Sequence, residues 1–395
     1  MTVISHVTAI SKGKDENGVT RVNEDEESFY YDGELHRDDG PAVTMHNYVF
    51  GIVEEYYYRH GKLNRKNGPA VVKRNPLLRT TEEMYYRDGK LDRKNGPAFV
   101  WSKDLATGEE YYRDGKLDRK NGPAVISCDK YGSTEEKYYR DGELHREDGP
   151  AIVQRDFYGT PTFEAYYRDG RLHRENGPAV VRHDADGAGF EEYYHYGKLD
   201  REDGPASVRR KADGSTEEEY SRDGKRHRED GPAFVRRNAN GVATHEQYCR
   251  NGKMDRQDGP AWIWRNADGV ATEEFYYRNG KVHREEGPAH VVRNPDGSTF
   301  EAYYRNGGLH REDGPAIVRR KADGSAAQEY YRNGQLVKVE HVTSEGVVLE
   351  KKQPSSPLVR SGPNRYAELK KASLQNVTVS TPRAPQGPRA PGMAP

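Results

Sequence analysis

The chain has 395 residues, of which 33% are hydrophobic and 32% charged, and its formal charge is −1. That composition excludes a thick globular core, and the charge excludes a global field favouring nucleic acid or a membrane surface. The 2 cysteines, Cys128 and Cys249, exclude a disulfide framework, and no apolar run approaches a membrane span.

Residues 1–26 read as an irregular N-terminal cap. Their opening, MTVISHVTAISKGKDENG, lacks the apolar core of a signal peptide. A cytoplasmic location is the default expectation, with non-classical delivery to another cell left open.

From residue 27 to about 350 the chain repeats one unit, YYRDGKLDRKNGPAVV in its cleanest form at 111–126. Gly-Pro-Ala occurs eleven times, from Pro41 and Pro69 to Pro288 and Pro315, with successive prolines 26 to 28 residues apart. A fixed period of this size marks a repeat architecture. Numbered by their turn glycines, the units run from Gly33 (first) through Gly61, Gly89, Gly115, Gly142, Gly170, Gly197, Gly224, Gly252, Gly280 and Gly307 to Gly334 (twelfth).

Within a unit, β-prone runs flank Asp-Gly or Asn-Gly, the strongest short hairpin signal, because both central residues of a type I′ turn need positive φ. In the third unit this register sets Arg87 against Lys90, Tyr86 against Leu91 and Tyr85 against Asp92. An aromatic stands four residues before the turn glycine in all twelve units and a tyrosine three before it in ten, Ser221 and Cys249 being the exceptions. With tyrosine on both faces, one face is expected to be interior and the other a tyrosine ladder. After Gly-Pro-Ala comes a β run whose alanine and β-branched second position should share the interior face. Length varies only in the following spacer (NADGV, KADGS, DKYGS), as stacked repeats predict.

The fold class expected is therefore all-β: an elongated antiparallel β-hairpin repeat array of about 11–12 units and about thirty strands. A meander ribbon and a flattened solenoid both satisfy the pattern. Residues 351–395 change to Pro, Ser, Arg and Ala and read as a disordered tail. Its PRAP segments at 382–385 and 388–391 have the spacing of polyproline-groove ligands, and 364–375 has the pattern of one short helix.

Glu recurs six residues before the turn glycine and Arg four after it, each in eleven of twelve units. The expectation is an ion-pair ladder between neighbouring units. The column three after the glycine holds His36, Asn64, Asp92, Asp118, His145, His173, Asp200, His227, Asp255, His283 and His310. One such residue per unit is too sparse for a metal, so a polar partner for the opposing tyrosine is expected. No phosphate loop, nucleophile elbow or paired-thiol motif is present. No catalytic, cofactor-binding or metal-binding residue is assigned, and Cys249 reads as a tyrosine vacancy.

The departures from the pattern are aromatic. Trp262 and Trp264 lie two apart on one strand, and Trp101 stands in AFVWS. Together with Tyr85, Tyr111, Tyr138, Tyr166 and Tyr193 they form the candidate binding surface.

The block YYRDGKL or YYRNGQL resembles the second variety of MORN-like repeats, and LHREDGPA is similar to GPA-containing repeats of large-virus, phage and bacterial proteins. The likeness covers about residues 27–338. It implies an elongated β array used for interaction or scaffolding, with another protein as partner. Carbohydrate binding by tyrosine ladders is the alternative, and a shell or delivery component, similar to the YD repeats of toxin cocoons, is a third.

Overall fold

The computed structural model describes residues 4–14, 20–332 and 334–352. Residues 353–395, including both PRAP segments and 364–375, lie outside the described residues. Every element described is a β-strand, 47 in all.

Each unit contributes two strands to one continuous antiparallel sheet of 27 strands. In the fifth unit Thr134–Lys137 pairs with Val125–Cys128 before it and Ile152–Arg155 after it. The sheet runs as an open meander in chain order. Between these strands each unit inserts a short hairpin, such as Tyr139–Arg140 with Glu143–Leu144, and ten of these are separate two-stranded sheets.

The expected turn register is present: Tyr86 faces Leu91, Arg87 faces Lys90, and the Asp92 N–H donates to the Tyr85 carbonyl. Asp88 (φ 51°) and Gly89 (φ 80°) both hold positive φ, as type I′ requires. Where the sequence suggests about thirty strands, the structure has 47, because in the second to eleventh units the strand breaks at the aromatic four residues before the turn glycine; in the first and twelfth it runs through. The Tyr138 N–H donates to Ala151 in the main sheet, whereas its carbonyl accepts from His145 in the hairpin. That residue is the corner between two hydrogen-bonded systems.

The hairpins also bind one another. The Gly170 N–H donates to the Leu144 carbonyl, and the Arg146 N–H donates to Tyr167. A row of hairpins therefore runs beside the main sheet, with these two backbone links joining the fifth hairpin to the sixth. The spacer glycine Gly187, which the sequence does not distinguish from an ordinary loop glycine, also holds positive φ (82°), like the turn glycine Gly170 (71°). Backbone strain alone does not separate the two.

The core is one residue deep. The alanine of every Gly-Pro-Ala is fully buried, and Val153, Val235 and Ile263, two residues on, are about 2% exposed. At the ends, Ile4–Lys14 pairs with Thr20–Tyr31, with a shift of register between Ile10 and Lys12, and the second strand runs on into the first unit. Gln335–Val342 and Val348–Lys352 close the other end as a pair.

Candidate binding surfaces

The Arg column does not bridge to the Glu column. In each of the first eleven units the guanidinium lies over the aromatic ring eight residues earlier, 3.7 to 4.0 Å from its centroid, as in Arg93 over Tyr85 and Arg174 over Tyr166. The same group donates to the proline carbonyl of its own loop, Arg174 Nη1 to Pro178 at 3.0 Å and Arg119 Nη1 to Pro123 at 2.9 Å. It also explains the glycine: a Cβ on Gly177 would lie 3.3 Å from Arg174 Cζ, and one on Gly40 2.9 Å from Arg37 Cζ. Tyr, Arg, Gly and Pro thus form one clasp that folds the loop back over the buried alanine. Sequence alone missed this because the partners are joined through a hairpin rather than across units.

The Glu column is engaged on both sides. Tyr111 donates to Glu109 at 3.0 Å and Tyr138 to Glu136 at 3.4 Å. An ion-pair series does exist, but with a different arginine, the fourth residue of the strand after Gly-Pro-Ala. Arg210 pairs with Glu191 at 3.5 Å, Arg265 with Glu246 at 2.9 Å and Arg293 with Glu274 at 2.6 Å. Tyr85, Tyr111, Tyr138, Tyr166 and Tyr193 are accordingly half-buried clasp residues, each with one ring face occupied by an arginine.

The His/Asp/Asn column also has a partner other than the opposing tyrosine. Its histidine and aspartate side chains accept the backbone N–H of the turn residue in the next unit: His145 Nδ1 from Asp169 at 3.1 Å, Asp118 from Asp141 at 3.3 Å, Asp255 from Asn279 at 3.0 Å; Asn64 instead donates its side-chain amide to the Asp88 carboxylate at 3.1 Å. His36, His173, His227 and His283 do the same through Nδ1. Imidazole and carboxylate interchange here because each places an acceptor two bonds beyond Cβ. The arrangement needs the neutral imidazole with its proton on Nε2. Burial, reinforced by His195 and Arg168, holds the His173 pKa below the ordinary histidine value. Among the described residues no group of three or more His, Cys, Asp or Glu has the placement to hold a metal.

The second tyrosine column lies on the opposite face. Tyr112 donates to Glu110 at 2.7 Å and Tyr194 to Glu192 at 3.2 Å. Burial and the adjacent carboxylate push both phenols far above the usual range, and burial raises Glu110 and Glu192 in turn. In the eighth unit Ser221 and Arg226 replace the Tyr–Leu pair, and Arg226 fills the space by donating to Glu219 and Gln247, both at 2.7 Å. Cys249 is buried opposite Met254, and burial raises its thiol pKa, so it sits in the tyrosine vacancy as an un-ionised thiol.

Trp101 faces Gly108 across the strand pair and lies flat over it; a Cβ there would come within 2.2 Å of the indole. Sister units carry Glu82 or Glu135 at that position, so the glycine makes room for this ring. Trp262 and Trp264 belong to something larger. On the same sheet face His245 lies 4.0 Å from Trp264, Trp262 lies 5.1 Å from Phe275, Phe275 stacks on His290 at 3.7 Å, and His290 meets Phe300 at 5.0 Å. With Phe234 against His245 at 5.6 Å, the rings form an unbroken run across six adjacent strands. At ~4.8 Å per strand it spans roughly 24 Å. The sequence revealed the two tryptophans but not the run, since the other rings come from neighbouring strands.

A groove of about 560 Å³ opens between the third and fourth hairpins, lined by Arg87, Arg93, Lys94, Arg113, Arg119 and Lys120 among others. No helix of the described residues is long and apolar enough to cross a membrane.

No family model matches the chain, and no curated protein matches it. Solved structures do. The TCP10 domain of Danio rerio CPAP, in complex with a peptide of Danio rerio STIL, is similar over 60% of this chain and 98% of that one, at 13% identity and TM-score 0.20. The TcdB2-TccC3 structure is similar over 88% of this chain at 10% identity and TM-score 0.13, and the chain spans 26% of its length.

Proposed function

We propose that this chain is a non-enzymatic repeat scaffold that binds another protein along the sheet face bearing Phe234, His245, Trp262, Trp264, Phe275, His290 and Phe300. The observation that carries this reading is the aromatic run itself. His245, Trp262, Phe275 and His290 each occur once at their position in the repeat, and with Trp264, Phe234 and Phe300 they join into one run. Large rings add contact area at low entropic cost and concentrate at binding hot spots. Trp262 and Trp264 are half-buried rather than enclosed. The reactive side-chain types support the non-enzymatic part: the column histidines are acceptors for turns, and the Cys249 thiol is buried with a raised pKa.

A photo-cross-linking residue at position 264 and, separately, at the equivalent position of the fourth unit, Ser127, tests the reading. The expected result is a protein adduct at 264 and none at 127. Equal adducts at both positions contradict it. Saturable glycan binding that is abolished by W262A/W264A, without a protein adduct, replaces the scaffold by a carbohydrate-binding protein.

A further inference from the structure

The loop that joins each hairpin to Gly-Pro-Ala carries two outward residues immediately after the clasp arginine. In the second, third and fourth units they are Lys66-Asn67, Lys94-Asn95 and Lys120-Asn121. In the fifth, sixth and seventh they are Glu147-Asp148, Glu175-Asn176 and Glu202-Asp203, and the eighth continues with Glu229-Asp230. All of these side chains are exposed. The clasp fixes their direction, because the arginine beside them is held on its tyrosine in every unit.

The three lysines have no ion pair among the described residues, although the repeat offers acidic neighbours in other units. Further cations surround them: Lys62, Lys90, Lys116, Arg87 and Arg113 are exposed in the same units. Of these, Arg87 and Arg113 are partly neutralised by Asp92 and Asp118 at 3.3 Å. In the acidic block Glu147 and Glu175 touch Arg140 and Arg168 at 3.3 Å yet remain 69% and 67% exposed. The first unit's loop carries Asp38-Asp39, also exposed, so the basic block is confined to the second, third and fourth members and the row changes sign at both edges of that block.

We infer that this row is an interface with a second copy of the chain, packed antiparallel about a two-fold axis between the fourth and fifth units. Two features favour a copy of the same chain over an unrelated acidic partner. The acidic block has the same loop geometry as the basic one, and its charges repeat at the same interval, two strands or roughly 10 Å per unit. A two-fold arrangement sets Lys66 against Glu202 and Asp203, Lys94 against Glu175, and Lys120 against Glu147 and Asp148, and each contact occurs twice. The contact is therefore limited to the second through seventh units, because one unit further out Asp38-Asp39 would meet Glu229-Asp230; sliding either copy by a unit brings like charges together inside that contact, so the charge boundary also sets the register. Exposed pairs are individually weak and are screened within about 10 Å at 0.1 M salt, so the assembly is salt-sensitive.

Sedimentation or light scattering on the full chain measures this directly. The expected mass at 50 mM NaCl is twice 44.9 kDa, falling to 44.9 kDa at 500 mM. K66E/K94E/K120E and, separately, E147K/E175K/E202K should each be monomeric at both salts with unchanged far-ultraviolet dichroism. Mixed one to one at 50 mM NaCl, the two variants should recover the doubled mass, because each now carries one charge on both blocks. A monomeric wild type at 50 mM NaCl overturns the inference, as does a folded pair of variants that fails to associate on mixing. Heparin binding by a wild type that stays monomeric, lost in K66E/K94E/K120E, assigns the lysines to another ligand and also overturns it.

Discussion

Replacing Arg174 by lysine isolates the clasp. In the wild-type chain Arg174 Cζ sits 3.9 Å above the Tyr166 ring and Nη1 donates to the Pro178 carbonyl at 3.0 Å. A half-exposed cation–π contact contributes about 0.5–1 kcal/mol. A hydrogen bond from a charged donor contributes about 1.5 kcal/mol or more. Lysine keeps the charge but has no planar fork able to lie on the ring and reach the carbonyl together. R174K should therefore lose roughly 1.5–2 kcal/mol, and R174A slightly more. The twelfth unit supports this: it alone carries lysine, Lys338 over Tyr330 at 4.2 Å, and it alone lacks Gly-Pro-Ala, so it has no such carbonyl to bind. Because units depend on their neighbours, the loss should appear first as faster hydrogen exchange at the amides of 166–179, before global unfolding. If R174K exchanges there like wild type while R174A does not, charge alone suffices and the clasp geometry is irrelevant.

The remaining predictions concern separate contacts. His173 accepts the Tyr196 N–H as neutral imidazole, and its folded pKa is depressed. The unfolded chain then binds a proton first, so this stability is complete above about pH 6.5 and is lost as pH falls below it; the melting temperature of H173N should change less between pH 7.5 and 5.5 than that of wild type, and an equal change would refute the lock. G108E restores the residue type of sister units but evicts Trp101, at a cost of about 1–3 kcal/mol; W101S/G108E should recover most of it in urea unfolding, and a double variant as unstable as G108E would contradict the packing. Difference absorbance should find Tyr331, pushed up to about 12 by burial and Glu329, ionising above the ordinary tyrosine range near pH ~10, and Y331F should remove that late step.

Sequence revealed what repeats locally. The register of Tyr86 and Leu91 follows from a two-residue turn, and the burial of Ala151 and Val153 follows from strand alternation. It did not reveal how the units hold each other. Tyr166 and Arg174 look like two independent columns until the hairpin brings position i against i+8. The exchange of His and Asp at one column was itself the missed signal, since their shared property is a short-armed acceptor. The aromatic run was half legible, because Trp262 is visible in one strand but Phe275 and His290 join it only through pairing.

Small-angle scattering at 500 mM NaCl tests the central claim, that the units extend one open sheet by stacking on their neighbours. Twenty-seven strands in sequence at ~4.8 Å predict a particle about 120 Å long with a radius of gyration near or above ~35 Å. A compact fold of 395 residues would give about 21 Å. The elongated value is the expected result; a radius close to the compact one would contradict the account.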